Sequence, residues 1–465
     1  MSMIPSKNNR KRVLSVFSLV MINVIAIDSL RNLPANAELG FSIVFFYLLG
    51  SVLFLLPCAL ITAELATHYP KKGGVYVWVR EAFGAKWGFV AIWLQWIYNV
   101  FWYPTILSFI AVNIAYLIDP TLANNKIYMM SMVIGMFIIA TIVNSFDMKL
   151  SSWVSSVSAI LGTIIPMIFI IGLGMTWIAL GKPLAITPTL PHFLPNAGSN
   201  NNLAFLVVVL FSLMGLEMSA VHAEEVKNPK QDYPKALIYS GVIIVLSVVL
   251  ASAAISVVVP ITHLNIISGL DQAYSLFLSN FHLQFLLPII IFLIVLGSFG
   301  GMSAWVIGPT KGLEVAANDG CAPKIFARCN KHGTPIVVLF LQAIIVILLT
   351  LSMLAFKKIS TSYWILSDLT SQLALIFYIL FFATAIKLRY QTQRQPNSYR
   401  IPGVKHIGIW LTAGVGIITC AGAMIIGLIP PSHIDIVSVK TYEAILILGI
   451  AIFTLMPLLI YRLRH

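Results

Sequence analysis

The feature that most constrains this sequence is a succession of apolar stretches, each long enough to cross a lipid bilayer. A spanning helix needs about 20 mostly apolar residues, and polar punctuation divides the 465 residues into twelve such stretches. They are residues 13–37, 41–67, 87–118, 127–146, 152–180, 203–221, 236–260, 284–317, 335–356, 361–388, 405–429 and 441–461. The sequence therefore predicts an all-α polytopic membrane protein with twelve transmembrane helices.

Charge content excludes the main alternatives. Only 10% of the residues are charged, against about 25% in soluble globular domains. A soluble chain of this length would need a charged surface over several domains, and the 59% of hydrophobic residues also exclude a disordered chain. We therefore expect the lipid bilayer, and not water, to surround most of the surface.

The basic residues predict the orientation. With the amino terminus inside, 23 of the 29 Lys and Arg residues fall on inner segments and Arg31 falls within the first span. The five on outer segments are Lys126, Lys182, Lys357, Lys358 and Lys440. Cytoplasmic loops are enriched in Lys and Arg, so we predict a multi-pass protein with both termini cytoplasmic. The net charge of +13 then reflects topology, and we predict no nucleic-acid partner.

Several charged residues lie within or near the apolar stretches, although a charge near the bilayer centre costs a few kcal/mol. They are Asp28, Arg31, Glu38, Glu64, Glu217 and Asp368. We expect Glu38 at the outer interface and Glu64 as a cap for the helix start near residues 73–74. Asp368 either lines a cavity or is capped by neighbouring hydroxyl groups.

The first span carries both an acid and a base. On an intact helix, Asp28 and Arg31 share a face and can form a neutralising ion pair. Alternatively the span is broken here, since Pro34 removes a backbone donor and clashes with the carbonyl of Leu30. Unwound backbone at membrane depth is tolerated where it lines a cavity or is buried in protein. We favour the broken helix.

The sixth span repeats this pattern, because Ser212, Gly215 and Glu217 lie within a few residues of one another. The first and sixth spans are five apart, as expected of two inverted five-helix repeats. Paired interrupted helices indicate a transport site near the bilayer midplane. There, helix-start amides can bind a carboxylate and free carbonyls can bind an ammonium group.

Motifs in order along nearly the whole chain resemble a known family. They are residues 40–46, 63–67, 73–79, 212–217, 225–236, 303–309 and 399–403. The chain resembles the amino acid–polyamine–organocation (APC) transporters, and among them the bacterial glutamate/γ-aminobutyrate antiporter group. The resemblance implies a LeuT-like 5+5 inverted repeat plus two extra helices, in a plasma (bacterial inner) membrane. It divides the chain into an amino terminus at 1–12, a transport core at 13–388, and two further helices at 389–465.

The resemblance also implies a site between the first and sixth spans. With the charged candidates, the predicted substrate-binding residues are Ile25, Ala26, Ile27, Asp28, Ser29, Arg31, Phe211, Ser212, Met214, Gly215 and Trp305. Glu217 lies where the family has a glutamate implicated in coupling or pH response, and it is the predicted proton-coupling residue. Arg31 favours an acidic substrate whereas Asp28 favours an amine, so the substrate stays open.

The predicted function is amino acid exchange by alternating access, as in an antiporter for glutamate and γ-aminobutyrate or related amino acids. The alternative is a proton-coupled symporter or permease. An ion channel is a more remote alternative, because the sequence contains no repeated ring of charges or carbonyl filter of the kind that channels use. The expected partners are small amino acids and the bilayer, with protons and a homodimeric partner left open. We predict no enzymatic activity, cofactor or metal, because no hydrolase or metal-ligand spacing occurs.

The sequence also departs from the family pattern. The small, glycine-rich turn of the first span is replaced by Ile27, Asp28 and Ser29, and Gly301 stands where the glutamate antiporters have an acidic residue. Residues 152–180 contain no lysine, which mildly favours exchange over one form of proton symport. No C-terminal plug is expected after the twelfth span. We therefore do not expect strict glutamate/γ-aminobutyrate exchange with acid gating.

Overall fold

The computed structural model describes residues 15–70, 73–146, 157–158, 160–186, 189–194, 200–391, 398–431 and 438–463. Seventeen α-helices lie in these ranges: α1 Val16–Ile27, α2 Leu33–Ala37, α3 Ile43–Gly50, α4 Leu56–His68, α5 Val75–Phe83, α6 Ala85–Ile118, α7 Lys126–Phe146, α8 Ile165–Ala179, α9 Leu190–Phe193, α10 Asn200–Ser212, α11 Pro229–Val258, α12 Gly269–Asn280, α13 Leu287–Asn318, α14 Ile336–Ser352, α15 Ile359–Gln391, α16 Ile407–Gly427 and α17 Val439–Arg462. No strand occurs in these ranges, so the described part of the chain is all-α.

The helices confirm a polytopic membrane protein. Ten helical segments in the described ranges are long and apolar enough to span a bilayer, and a bent pair in the first predicted span would make eleven. The sixth predicted span corresponds to a shorter apolar segment, Phe205–Ala220. Part of the fifth predicted span, residues 152–156 and 159, lies outside the described residues. A total of twelve spans stays a prediction.

The first span is broken, as the charged residues and proline predict. Helix α1 ends at Ile27, and Asp28 and Ser29 adopt extended backbone angles. A 3-10 turn at Leu30–Asn32 then leads into α2, and the two halves are bent by 45°. Pro34 lies in the first turn of α2, where a helix needs no donor from it. The proline therefore starts the second half and does not disrupt a continuous helix.

The sixth span is interrupted after Ser212, where α10 ends. Gly215 has a φ of 123°, a backbone conformation that favours glycine, and a 3-10 helix at Leu216–Glu225 follows. A Cβ atom at Gly215 would lie 3.1 Å from the side chain of Ile27. The two interruptions therefore face each other in the interior of the protein.

Two long helices enclose these interruptions. Helix α6 is buried along most of its length and packs against both α13 and α15. Trp96 on α6 donates a hydrogen bond to Gln342 of α14, and the hydroxyl of Tyr103 donates to the backbone oxygen of Trp305 on α13. These contacts fix α6 beside the two broken spans. Between α11 and α13, helix α12 buries one side against the rest of the protein.

Candidate functional site

A cavity of about 60 Å³ lies between the two broken spans. It is lined by Ala26, Ile27, Ser29, Asn32, Tyr98, Asn99, Trp102, Phe211, Met214, Gly215 and Trp305. The first span contributes residues on both sides of its interruption, the sixth span contributes Phe211 and two residues of its interruption, and α6 and α13 complete the wall.

Aromatic side chains from the enclosing helices form one wall of this cavity. The rings of Trp102 on α6 and Trp305 on α13 pack edge to face with centroids 6.4 Å apart. The hydroxyl of Tyr103 holds the backbone of Trp305 at 3.0 Å. Aromatic faces of this kind pack well against aliphatic chains and attract cationic groups.

The structure brings most of the predicted substrate-binding residues to this cavity. The seven that line it are Ala26, Ile27, Ser29, Phe211, Met214, Gly215 and Trp305. Ile25 and Asp28 line a second cavity of about 40 Å³ beside the first, also bordered by Trp102 and Trp305. The hydroxyl of Ser212 donates to the carbonyl of Val208 in its own helix, so Ser212 does not face the cavity.

Asp28 and Arg31 do not pair. The carboxylate of Asp28 accepts a hydrogen bond of 3.0 Å from Ser247 on α11. The guanidinium of Arg31 points toward α6 and α15, where Nη1 donates to Thr105 at 2.9 Å and to Tyr363 at 3.1 Å. Because α1 ends before Asp28, the two side chains leave the broken span in different directions. The neutralising ion pair considered from the sequence is therefore absent.

Glu217 is buried next to the interruption of the sixth span. Its carboxylate accepts a hydrogen bond of 2.6 Å from the hydroxyl of Tyr378 on α15. The same hydroxyl accepts a hydrogen bond of 2.8 Å from the backbone amide of Gly215. Tyr378 thus links the carboxylate to the backbone at the cavity, and only 2% of Glu217 is exposed.

Two other charged residues have structural partners. Asp368 on α15 accepts a hydrogen bond of 2.6 Å from the hydroxyl of Tyr442 on α17, which agrees with the capped alternative. Glu64 pairs with Arg389 at 2.5 Å and accepts from the backbone amide of Ile401 at 2.7 Å. The expectation that Glu64 caps the helix start near residues 73–74 is therefore corrected, because a buried arginine on α15 takes its carboxylate.

Several residues of the site were missed from the sequence. Tyr98, Asn99 and Trp102 occupy one region of α6, and Asn32 follows Arg31. Polar and aromatic residues at positions i, i+1 and i+4 of a spanning helix are a usable signal for a cavity-facing stripe. Tyr378 gave no such signal, since its role depends on the distant Glu217.

Comparison with known proteins identifies the family. The model of a family described as amino acid permease matches residues 13–453. The chain belongs to the amino acid permease family. An uncharacterized transporter of Legionella pneumophila is 51% identical to this permease over 97% of each chain. A glutamate/gamma-aminobutyrate antiporter of Lactococcus lactis is 30% identical over 98% of this chain and 91% of its own length.

A more distant relative carries a different name. The probable agmatine/putrescine antiporter of Lactococcus lactis is 27% identical over 85% of this permease and 84% of its own length. The two named antiporters therefore differ in the charge of the compounds in their names. Membership in the permease family agrees with the membrane-spanning helices and the enclosed cavity, whereas the substrate has to be argued from the site itself.

Proposed function

We propose that this permease exchanges amino acids across the membrane by alternating access, with the cavity between the two broken spans as the substrate site. The observation that carries the proposal is the meeting of the two interruptions, where Gly215 approaches Ile27 at the cavity. Interrupted spans leave backbone amides and carbonyls available inside the protein. The relatives named as antiporters support exchange over one-way uptake.

The cavity chemistry suits an amino acid. The amides of Met214 and Gly215 already donate to Phe211 and Tyr378, so the backbone beside Ser29 supplies amide groups for the α-carboxylate and the turn after Ser212 supplies carbonyl groups for the α-ammonium group. The side chain of the substrate then lies against Trp102 or Trp305. Of the predicted set, we retain Ala26, Ile27, Ser29, Phe211, Met214, Gly215 and Trp305 as lining residues.

We extend the proposal to the architecture. Twelve spans, with a LeuT-like 5+5 repeat over residues 13–388 and two further helices, agree with the bent first span and the short sixth segment five spans later. The distribution of basic residues supports cytoplasmic termini in a bacterial inner membrane.

The test is counterflow into proteoliposomes. Vesicles loaded with unlabelled glutamate, γ-aminobutyrate, arginine, agmatine or neutral amino acids receive the same labelled compounds outside. We expect uptake that depends on an internal amino acid, and the absence of counterflow with every one of these compounds would contradict the proposal.

Gly215→Val should abolish exchange, because the backbone conformation of Gly215 and its contact with Ile27 leave no room for a side chain. Gly422→Val, where a Cβ atom meets nothing within 4 Å, is the matched control.

Proton-coupled symport is the second candidate, favoured by the buried carboxylate of Glu217 beside the cavity. A carboxylate held away from water is suited to take up and release a proton during transport. Glu217→Gln should flatten the pH dependence of transport. Asp368→Asn is the matched control, because Asp368 is also buried and accepts from a tyrosine hydroxyl at the same distance, 2.6 Å. An unchanged pH profile in Glu217→Gln would contradict the coupling role, and uptake driven by a pH gradient into empty vesicles would favour symport.

A further inference from the structure

Arg31 is a buried cation whose charge is not neutralised by the described protein. Its side chain is 3% exposed, and its guanidinium has no carboxylate partner within the described ranges. The three groups that accept from Nη1 are the neutral hydroxyls of Thr105, Tyr363 and Ser367. Burying an unpaired charge is costly. We therefore expect a buried, unpaired Arg31 only if its positive charge serves the function of the protein.

The two nearest acids on the same elements are engaged elsewhere. Asp28 accepts from Ser247 on α11, and Asp368, which follows Ser367 on α15, accepts from Tyr442 on α17. Neither carboxylate is therefore the missing partner of Arg31.

One edge of the guanidinium is available for an anion. All three hydrogen bonds leave from Nη1, whereas Nε and Nη2 donate to no group in the part of the chain that the structure describes. The Nε–Nη2 edge of an arginine presents two parallel N–H groups that match the two oxygens of a carboxylate. Arg31 thus keeps a bidentate carboxylate site unfilled.

Arg31 does not line the substrate cavity, but two residues in contact with it do. Asn32, the residue after Arg31, lines the cavity, and so does Phe211. The guanidinium packs against the ring of Phe211 at 5.8 Å and against the ring of Tyr363 at 5.6 Å. Arg31 is therefore separated from the cavity by Phe211 and can reach it when that side chain moves.

A second group of positive charges lies just before α15. It consists of Lys357 and Lys358, which line a cavity of about 580 Å³ together with Ser360 in the first turn of α15. Tyr363 and Ser367, the two hydroxyls of α15 that hold Arg31, follow on the same helix. At 1.5 Å per residue, Lys358 and Ser367 are roughly 14 Å apart along the axis. Cationic side chains lining a cleft raise the local concentration of anions.

From these observations we infer that Arg31 is a specificity-determining residue, which binds the side-chain carboxylate of an acidic amino acid at one end of the cavity. Lys357 and Lys358 attract this anionic substrate to the entrance. The inference rests on the proposed exchange function and adds the substrate class. Phe211 shields the bound carboxylate from water.

The test compares acids with their isosteric amides. Counterflow of glutamate against glutamine, and of aspartate against asparagine, is measured for the full chain in proteoliposomes at low salt. We expect the original protein to prefer the acid, and Arg31→Gln to lower the ratio of acid to amide transport about 10- to 100-fold, as for loss of a charge-assisted hydrogen bond. Arg31→Lys keeps the charge without the planar fork and should lower the ratio less.

The control is the other buried arginine on these helices. Arg389→Lys also replaces a buried guanidinium, but its partner is Glu64, so the ratio of acid to amide transport should not change. Equal transport of acid and amide by the original protein, or an unchanged ratio in Arg31→Gln, would overturn the inference while leaving amino acid exchange intact. Absence of any counterflow in the original protein would instead refute the proposed function. If Arg31→Gln does not fold, the same ratio measured with Arg31→Lys decides.

Discussion

Two buried arginines in this permease have opposite surroundings. Arg389 on α15 bonds both oxygens of Glu64 on α4 and also donates to the backbone carbonyl of Ile401. Arg31, between the halves of the first span, donates to three hydroxyls and meets no carboxylate in the described ranges. Both side chains are at most 5% exposed, so water does not explain the difference.

The comparison separates a structural cation from one that is available to a ligand. The charge of Arg389 is neutralised within the chain, and its hydrogen bonds connect the end of α15 to α4 and to the segment before α16. The charge of Arg31 is not neutralised within the described ranges, and Arg31 lies at the break of the first span near the cavity. Stability should therefore depend on Arg389, whereas substrate choice should depend on Arg31.

The largest expected effect is on stability at Arg389. Arg389→Gln leaves the carboxylate of Glu64 buried without its cation, which should lower the free energy of unfolding by about 3–5 kcal/mol. Thermal unfolding in detergent measures the loss. The double variant Glu64→Gln with Arg389→Gln removes both charges and should recover much of it. A single variant as stable as the original protein would show that this pair is not the structural contact we describe.

A smaller effect is expected from ligand binding at Arg31. Glutamate at 100 times its dissociation constant should stabilise the original protein by about 2.7 kcal/mol. The same glutamate concentration should stabilise Arg31→Gln much less, because the carboxylate site is lost. Without ligand, Arg31→Gln should be no less stable than the original protein, since an unneutralised buried charge is removed. If glutamate stabilises the original protein and Arg31→Gln equally, Arg31 does not bind the ligand, and the distinction between a structural Arg389 and a ligand-binding Arg31 fails.

The sequence predicted the helical framework because each span is a local property. Long apolar stretches and their polar boundaries gave the ten spanning helices of the described ranges, and the charged residues beside Pro34 gave the break in the first span. The physical role of Pro34 was different from the prediction, since it begins α2. Whether a proline ends one helix or starts another depends on where the preceding helix stops.

The partners of the buried charges could not be predicted in the same way. Glu64 and Arg389 are 325 residues apart in the sequence, and Arg31 and Tyr363 are 332 apart. Such pairs depend on how α15 packs against the first two spans, which no local pattern encodes. For this reason the sequence identified Asp28 and Arg31 as unusual but left open whether they neutralise each other.

The smallest expected effect concerns the cavity with the two lysines. Lys357→Gln removes one exposed positive charge about two turns of helix from Tyr363 and about three turns from Ser367, two of the hydroxyls that hold Arg31. Because exposed charges act through a screened field, we expect the rate of glutamate uptake at low salt to fall about two- to threefold, and the difference to vanish near 1 M salt, where the screening length is about 3 Å. Uptake of glutamine is the control and should not respond. A salt-independent loss, or an equal loss for glutamine, would mean that Lys357 acts through local structure, and the attraction of anions would then belong to Arg31 alone.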